Sequence, residues 1–232
     1  LKEATSYRRA VGFFSSSILV EISKGIGGLI KNGGKIQIVA SPHLSDEDIK
    51  AIQQGYSQRV DICKKAVLRE LREPENDFQA DRLNYLSNLI ADGYLDIRIA
   101  VTESDFMMGM YHEKMGIITD ADGNRVAFSG SMNESANALL VNYETIDVFT
   151  SWSNDEKRVI SKETSFAAIW DGYEPGIKTM EFDEVSEEMI RRYRKAPVDY
   201  KTYNTDRDII PQIDKPCTFF RVPNYIDFYG YQ

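Results

Sequence analysis

A chain of 232 residues, 42% of them hydrophobic, can bury one good core with an appendage beside it. A net charge of -8 excludes a surface coated for nonspecific nucleic-acid binding, because that affinity comes from Lys and Arg displacing counterions. No run approaches the roughly 18 apolar residues that cross a bilayer, and the opening Leu1-Lys2-Glu3 carries no signal-peptide pattern, so an intracellular, cytoplasmic protein without membrane contact is expected.

In chain order, Ala10-Val11-Gly12-Phe13-Phe14 reads as a short buried strand and Ile18 to Ile30 as an apolar-periodic helix ending before Asn32-Gly33-Gly34. Lys35 to Ala40 is the second strand. Ser45-Asp46-Glu47-Asp48, after Pro42, forms a capping box for a long helix reaching toward Leu71, which Pro74 closes. A helix from about Phe78 to Ala91 leads through Asp92-Gly93 into a strand at Leu95 to Val101. Hairpin strands follow at 111–118 and 125–129, then a strand near Tyr143 to Thr150 and a helix from about Asn154 to Trp170. Helices alternating with strands, then a hairpin, predict an α/β fold: a mixed β-sheet sandwiched between helices.

The compact domain is expected to span 1–174. Beyond Pro175, Val185 to Lys195 could form one charged amphipathic helix, and Pro197, Pro211, Pro216 and Pro223 punctuate the rest, so 175–232 reads as a linker with no core of its own. The absent initiator Met and the aromatic ending Tyr225 to Gln232 suggest a piece of a longer chain.

The chemistry concentrates between residues 111 and 133. On a strand, His112 and Lys114 project from one face. The turn-forming Asp120-Ala121-Asp122-Gly123-Asn124 then reverses the chain into a strand ending at Gly130-Ser131-Met132-Asn133. An imidazole, an ammonium, a hydroxyl and an amide can thus converge at one end of a hairpin, as a phosphate site with a nucleophile in it. No metal or other cofactor is expected: Cys63 and Cys217 lie far apart, and the loop from Asp120 has Ser131 where a calcium loop needs a bidentate Glu. His43 reads as a loop or capping residue, with a substrate contact as the other reading.

His112-Glu113-Lys114 with Gly130-Ser131-Met132-Asn133 resembles the signature of the phospholipase D superfamily, His-x-Lys followed by Gly-Ser-x-Asn. The family's acid falls at the place of Thr119, and Asp120 follows one residue later. Asn142-Tyr143-Glu144 looks like the Asn-x-Glu of the nuclease branch. The resemblance implies that His112 attacks phosphorus to give a phosphohistidine, that Lys114, Asn133 and Ser131 bind the phosphate oxygens, and that Glu144 orients His112. It also implies a second histidine motif, which this chain lacks, so a homodimer with two His112 residues facing across a twofold axis is expected. Arg9 to Ser16 and Val39 to Ser45 are similar to the phospholipase D-like domain at the N-terminus of DEAD/DEAH-type helicases of restriction or phage-defence character. That likeness implies DNA or RNA as substrate and a covalently linked helicase/ATPase domain. A catalytically inactive DNA-binding or dimerising module of a helicase is the alternative; a lipid phosphodiesterase is disfavoured because no interfacial amphipathic segment stands out.

Overall fold

Alternating apolar residues at Ile36, Ile38 and Ala40 on one side of a short strand, and Val39 on the other, can be satisfied only by a strand buried on both faces. A computed structural model describes residues 1–12, 26–45, 47–48, 59–102, 111–131 and 145–203, and in it this strand is near the middle of a seven-stranded mixed sheet. The strands are β1 (Ala4–Val11), β2 (Lys35–Ala40), β3 (Leu95–Thr102), β4 (Met115–Asp120), β5 (Arg125–Gly130), β6 (Ile146–Thr150) and β7 (Ile177–Glu181), in the spatial order β6-β5-β4-β1-β2-β3-β7. The pairs β1/β2 and β2/β3 are parallel and all others antiparallel.

Helices cover both faces. On one lie α1 (Ile26–Lys31), α2 (Arg59–Arg69), α3 (Asp77–Ala91) and α5 (Asp183–Tyr193), whose Leu29, Val67, Leu86 and Met189 share a core with Tyr7, Ile38 and Ile97. On the other, α4 (Glu156–Trp170) presses Val159, Phe166 and Ile169 onto Ala10, Val39, Met115 and Ile117. Glu163 of α4 takes hydrogen bonds from Arg8 at 2.7 Å and Arg125 at 2.8 Å, which fixes the helix across β1 and β5. No helix among the described residues is long and apolar enough to cross a membrane.

Local chemistry explains the boundaries. Ser45 and Asp48 form the reciprocal box: the Ser45 amide donates to Asp48 Oδ2 at 2.8 Å and the Asp48 amide to Ser45 Oγ at 3.3 Å. Asn76 caps α3 by accepting the Gln79 amide at 2.9 Å. β1 starts at Ala4, well before the expected Ala10, because Tyr7 and Arg9 are both buried on one side. The expected helix over 18–30 is described from Ile26 onward, and the rest of it lies outside the described residues.

The domain boundary expected at 174 is corrected. β7 pairs antiparallel with β3, Met180 opposite Ile99, so Ile177 to Glu181 completes the sheet. Val185, Met189 and Tyr193 recur every fourth residue along α5 and bury into the main core. The chain stays on the domain through Tyr203, whose ring stacks on Tyr85 at 4.1 Å while its hydroxyl donates to Asp81 at 2.6 Å. Residues 204–232 lie outside the described residues.

Candidate active site

The strand directions gather the motif residues at one edge. β1, β2 and β3 run together, and β4 is antiparallel to β1, so β4 begins where β1 ends. β5 ends and β6 begins on that same edge, with Met115 opposite Ser129 and Gly130 opposite Ile146. The carboxyl ends of the parallel strands therefore share a rim with His112, Lys114 and Ser131, the position where open α/β sheets bind ligands.

His112 is exposed, and Lys114 is only 7% exposed. β4 starts at Met115, one residue after the motif, so the expected strand over both residues is shortened. The ladder reaches Lys114 through its carbonyl, which accepts the Gly130 amide at 3.2 Å. Because Met115 packs under α4, alternation turns Lys114 and Gly116 to the opposite face. The link to His112 is through the backbone: Lys114 Nζ donates to the His112 carbonyl at 3.5 Å. A second cation, Arg9, shares that face, opposite Gly116 in the register and 1% exposed. Its guanidinium lies 5.2 Å from the centre of the Phe128 ring, which passes so close over Gly116 that a Cβ there would meet it at 2.2 Å. Arg9 was hidden in the sequence because the strand is expected there to begin only at Ala10, whereas β1 starts at Ala4.

Ser131 joins β5 to β6. Its amide donates to the Thr145 carbonyl at 3.0 Å, and its Oγ accepts the Thr145 amide at 3.1 Å. Asn133 and Glu144 lie outside the described residues, between Ser131 and Thr145, which the same two hydrogen bonds tie together.

The chain is similar to NucT from Helicobacter pylori, at 17% identity and a TM-score of 0.43 over 75% of this chain and 82% of that one. It is also similar to a phospholipase D family member, Nuc from Salmonella typhimurium, at 17% identity and a TM-score of 0.39 over 77% of this chain and 83% of the other. No protein-family model matches the chain, and no curated protein does.

Asp120, which stands one place from the family's acid, is removed from the site. It lies at the far end of β4, about 20 Å along the strand from Lys114. Its Oδ1 accepts the amides of Asp122 at 3.0 Å and Asn124 at 2.8 Å, and its Oδ2 accepts Asn124 Nδ2 at 2.9 Å. These bonds, that of Asn124 foremost, hold its carboxyl below the usual range and organise a turn in which Gly123 has φ +82°. Asp120 is a hairpin residue.

A cavity of about 430 Å³ opens beside His112, walled by Tyr111, Glu113, Lys162, Ser165 and Glu174. Lys162 of α4 approaches Glu113 at 3.7 Å, which holds the segment before β4 against that helix. Burial, reinforced by Glu113 and Glu174, pushes the Tyr111 phenol up, so it stays a neutral wall of the cavity. On the other side of the rim, His43 follows β2 with its Nδ1 3.7 Å from Glu70 Oε1. Among the described residues no group of three or more His, Cys, Asp or Glu side chains could hold a metal ion.

Proposed function

We propose that this chain is a phosphodiesterase of the phospholipase D type that cleaves nucleic acid, with His112 as nucleophile and Lys114 as its electrostatic partner. The observation that carries the reading is a buried ammonium at the rim of the sheet, hydrogen-bonded to the backbone of the exposed histidine two residues before it. A phosphodiester keeps its charge on nonbridging oxygens and repels anionic nucleophiles, whereas a neutral imidazole meets no such repulsion. His112 attacks phosphorus and forms a phosphohistidine, dividing one hard displacement into two easier steps. Lys114 stabilises charge developing on the equatorial oxygens, with Ser131 and Asn133 as further donors and Glu144 orienting the imidazole. Cationic groups and amides do in this scheme what a divalent ion does in others, so the reaction is metal-independent.

The acidic balance of the chain means that affinity for a polyanion has to come largely from elsewhere. A covalently linked helicase domain and a homodimeric arrangement would each add that affinity. The decisive experiment is cleavage of single- and double-stranded DNA and of RNA in EDTA by wild type and His112→Ala. Wild-type cleavage in EDTA that disappears in His112→Ala, with an alkali-stable, acid-labile phosphohistidine label trapped only in wild type, supports the reading. Strict dependence on magnesium, or undiminished cleavage by His112→Ala, overturns it. DNA binding by both proteins with cleavage by neither would assign the chain to a noncatalytic binding module.

A further inference from the structure

The cavity beside His112 is built from distant parts of the chain that the sheet brings to one rim. Thr102 ends β3 and lies opposite Ile177 at the start of β7, and both wall it. Lys162, Ser165 and Ile169, spaced three and four residues apart, give it one face of α4. Tyr111, His112 and Glu113 enter from the segment before β4, and Glu174 from the turn between α4 and β7. At about 430 Å³ the space falls within the roughly 300–1,000 Å³ of small-molecule sites, and the proposed nucleophile is part of its wall.

Its chemistry is not that of a phosphate site. The walls carry two carboxylates against one ammonium, and Lys162 already stands 3.7 Å from Glu113. The half-buried Glu174 carboxylate makes no hydrogen bond or ion pair among the described residues. Tyr111 is 4% exposed, and its buried hydroxyl has no hydrogen-bond partner, so the same wall holds an acceptor and a donor that the fold leaves unused. A carboxylate in a partly desolvated wall repels phosphoryl oxygens and accepts from N–H groups. The Tyr111 ring, Ile169 and Ile177 supply apolar surface beside it. A neutral group with apolar faces and an edge of N–H donors fits these walls, and in a nucleic acid that group is a base.

We propose that this cavity is a nucleobase subsite, in which Glu174 accepts from an amino-bearing base, guanine before the others, on a nucleotide next to the scissile phosphate. That placement rests on His112 being the nucleophile. Guanine sets N1–H beside its exocyclic amino group, a donor pair that one carboxylate accepts with both oxygens. Adenine and cytosine offer an amino group alone, and thymine flanks its single N–H with carbonyl oxygens. In a duplex this edge is engaged with the opposite strand, so only an unpaired or extruded base enters.

The test uses a single-stranded thymidine tract carrying one guanosine, and the same strand with inosine, which lacks the amino group, or an abasic residue at that position. Cut positions in EDTA are mapped for wild type, Glu174→Gln, Ser165→Phe and His112→Ala, with thermal unfolding as a check on folding. We expect wild type to cut next to guanosine about 10–100-fold faster than within the tract, the worth of hydrogen bonding to a charged acceptor, and to lose most of that preference with inosine. The inosine comparison needs no variant. Glu174→Gln should cut the guanosine and inosine strands at similar rates, and Ser165→Phe, which fills the cavity, should cut guanosine and abasic positions alike. Binding of the same strands, read by fluorescence anisotropy, should follow the same order. Uniform cutting along the tract by wild type, or a guanosine preference intact in Glu174→Gln, overturns the subsite and leaves the nucleophile standing. Cutting by His112→Ala that keeps the guanosine preference overturns the nucleophile and leaves the base contact standing. Hydrolysis of phosphatidylcholine vesicles with no cutting of any strand gives the cavity to the lipid's ammonium head group and overturns the assignment.

Discussion

The carbonyl of Lys114 accepts the amide of Gly130 at 3.2 Å, so the backbone that carries the buried ammonium is tied to the last residue of β5. The glycine of Gly-Ser-x-Asn has a steric reason to be there: a Cβ on Gly130 would lie 1.9 Å from the Thr145 carbonyl oxygen and 2.9 Å from Ile146 Cα, both backbone atoms that cannot swing aside. Gly130→Ala must therefore push β6 away from β5. The expected loss is about 1–3 kcal/mol in urea denaturation, with cleavage per folded molecule also falling because Ser131 moves with the strand end. A variant as stable and active as wild type would mean that the join between the two strands is not fixed.

In the proposed reaction Lys114 is the group that stabilises charge developing in the transition state. Lys114→Met is expected to lower kcat and kcat/KM by the same factor, about 10²–10³, and to leave KM nearly unchanged. Steady-state kinetics on an oligonucleotide in EDTA read this directly. A raised KM with kcat intact would make Lys114 a substrate anchor and leave the oxyanion charge to Arg9 or to the amide donors.

Asp120 carries a contrasting expectation. With its carboxylate spent on the amides of Asp122 and Asn124, Asp120→Ala should loosen the hairpin turn and change cleavage by no more than about twofold, as surface substitutions far from a site do. A loss approaching that of Lys114→Met would return Asp120 to the catalytic account.

Much of this was legible because it is local. Ser45 with Asp48, the apolar alternation of β2 and the run of α3 announce themselves over a few residues, and the histidine, lysine and glycine-serine positions follow from one hairpin. What was missed is set by partners distant in sequence. Arg9 looks like a solvated residue until Phe128, more than a hundred positions on, covers its guanidinium. Ile177-Lys178-Thr179-Met180-Glu181 has no pattern that distinguishes a strand from a linker, and only pairing with Ile99 to Val101 makes it one. The site's strand begins at Met115 rather than at the expected 111 because the ladder that would contain His112 stops at Lys114.

The capping box carries a pH signature. The Arg69 guanidinium, gripping both oxygens of Asp48, holds its carboxyl at about 2, against an ordinary 3.8. A depressed folded-state value means that this contribution is complete above about pH 4 and is lost as pH falls through about 2. Since Arg69 is half exposed, solvent screening limits the effect to about 1 kcal/mol. Urea midpoints between about pH 5 and pH 2 should fall more steeply for wild type than for Asp48→Asn, and parallel curves would rule out the pair as a contributor.

The strongest effect on stability is expected in a segment the sequence presents as a charged linker. Glu187, Glu188, Arg191 and Arg192 dominate the composition of α5, yet Met189 is fully buried and its carbonyl accepts Ser87 Oγ at 3.2 Å, fastening α5 to α3. Arg192 and Tyr193 add hydrogen bonds at 2.7 Å to the carbonyls of Leu71 and Arg72 beyond α2. Met189→Ala should cost about 2–4 kcal/mol in urea denaturation while leaving the rate per folded molecule unchanged, because α5 is fastened to α3 and to the chain beyond α2 rather than to the rim that carries His112 and Lys114. Ending the chain at residue 174 removes β7 and α5 together and uncovers the outer edge of β3, with Val101 and Ile99 beneath it. Such a chain should aggregate, as an exposed apolar strand edge does. Cooperative unfolding of that shortened chain at the wild-type midpoint would show that the sheet is complete without its seventh strand.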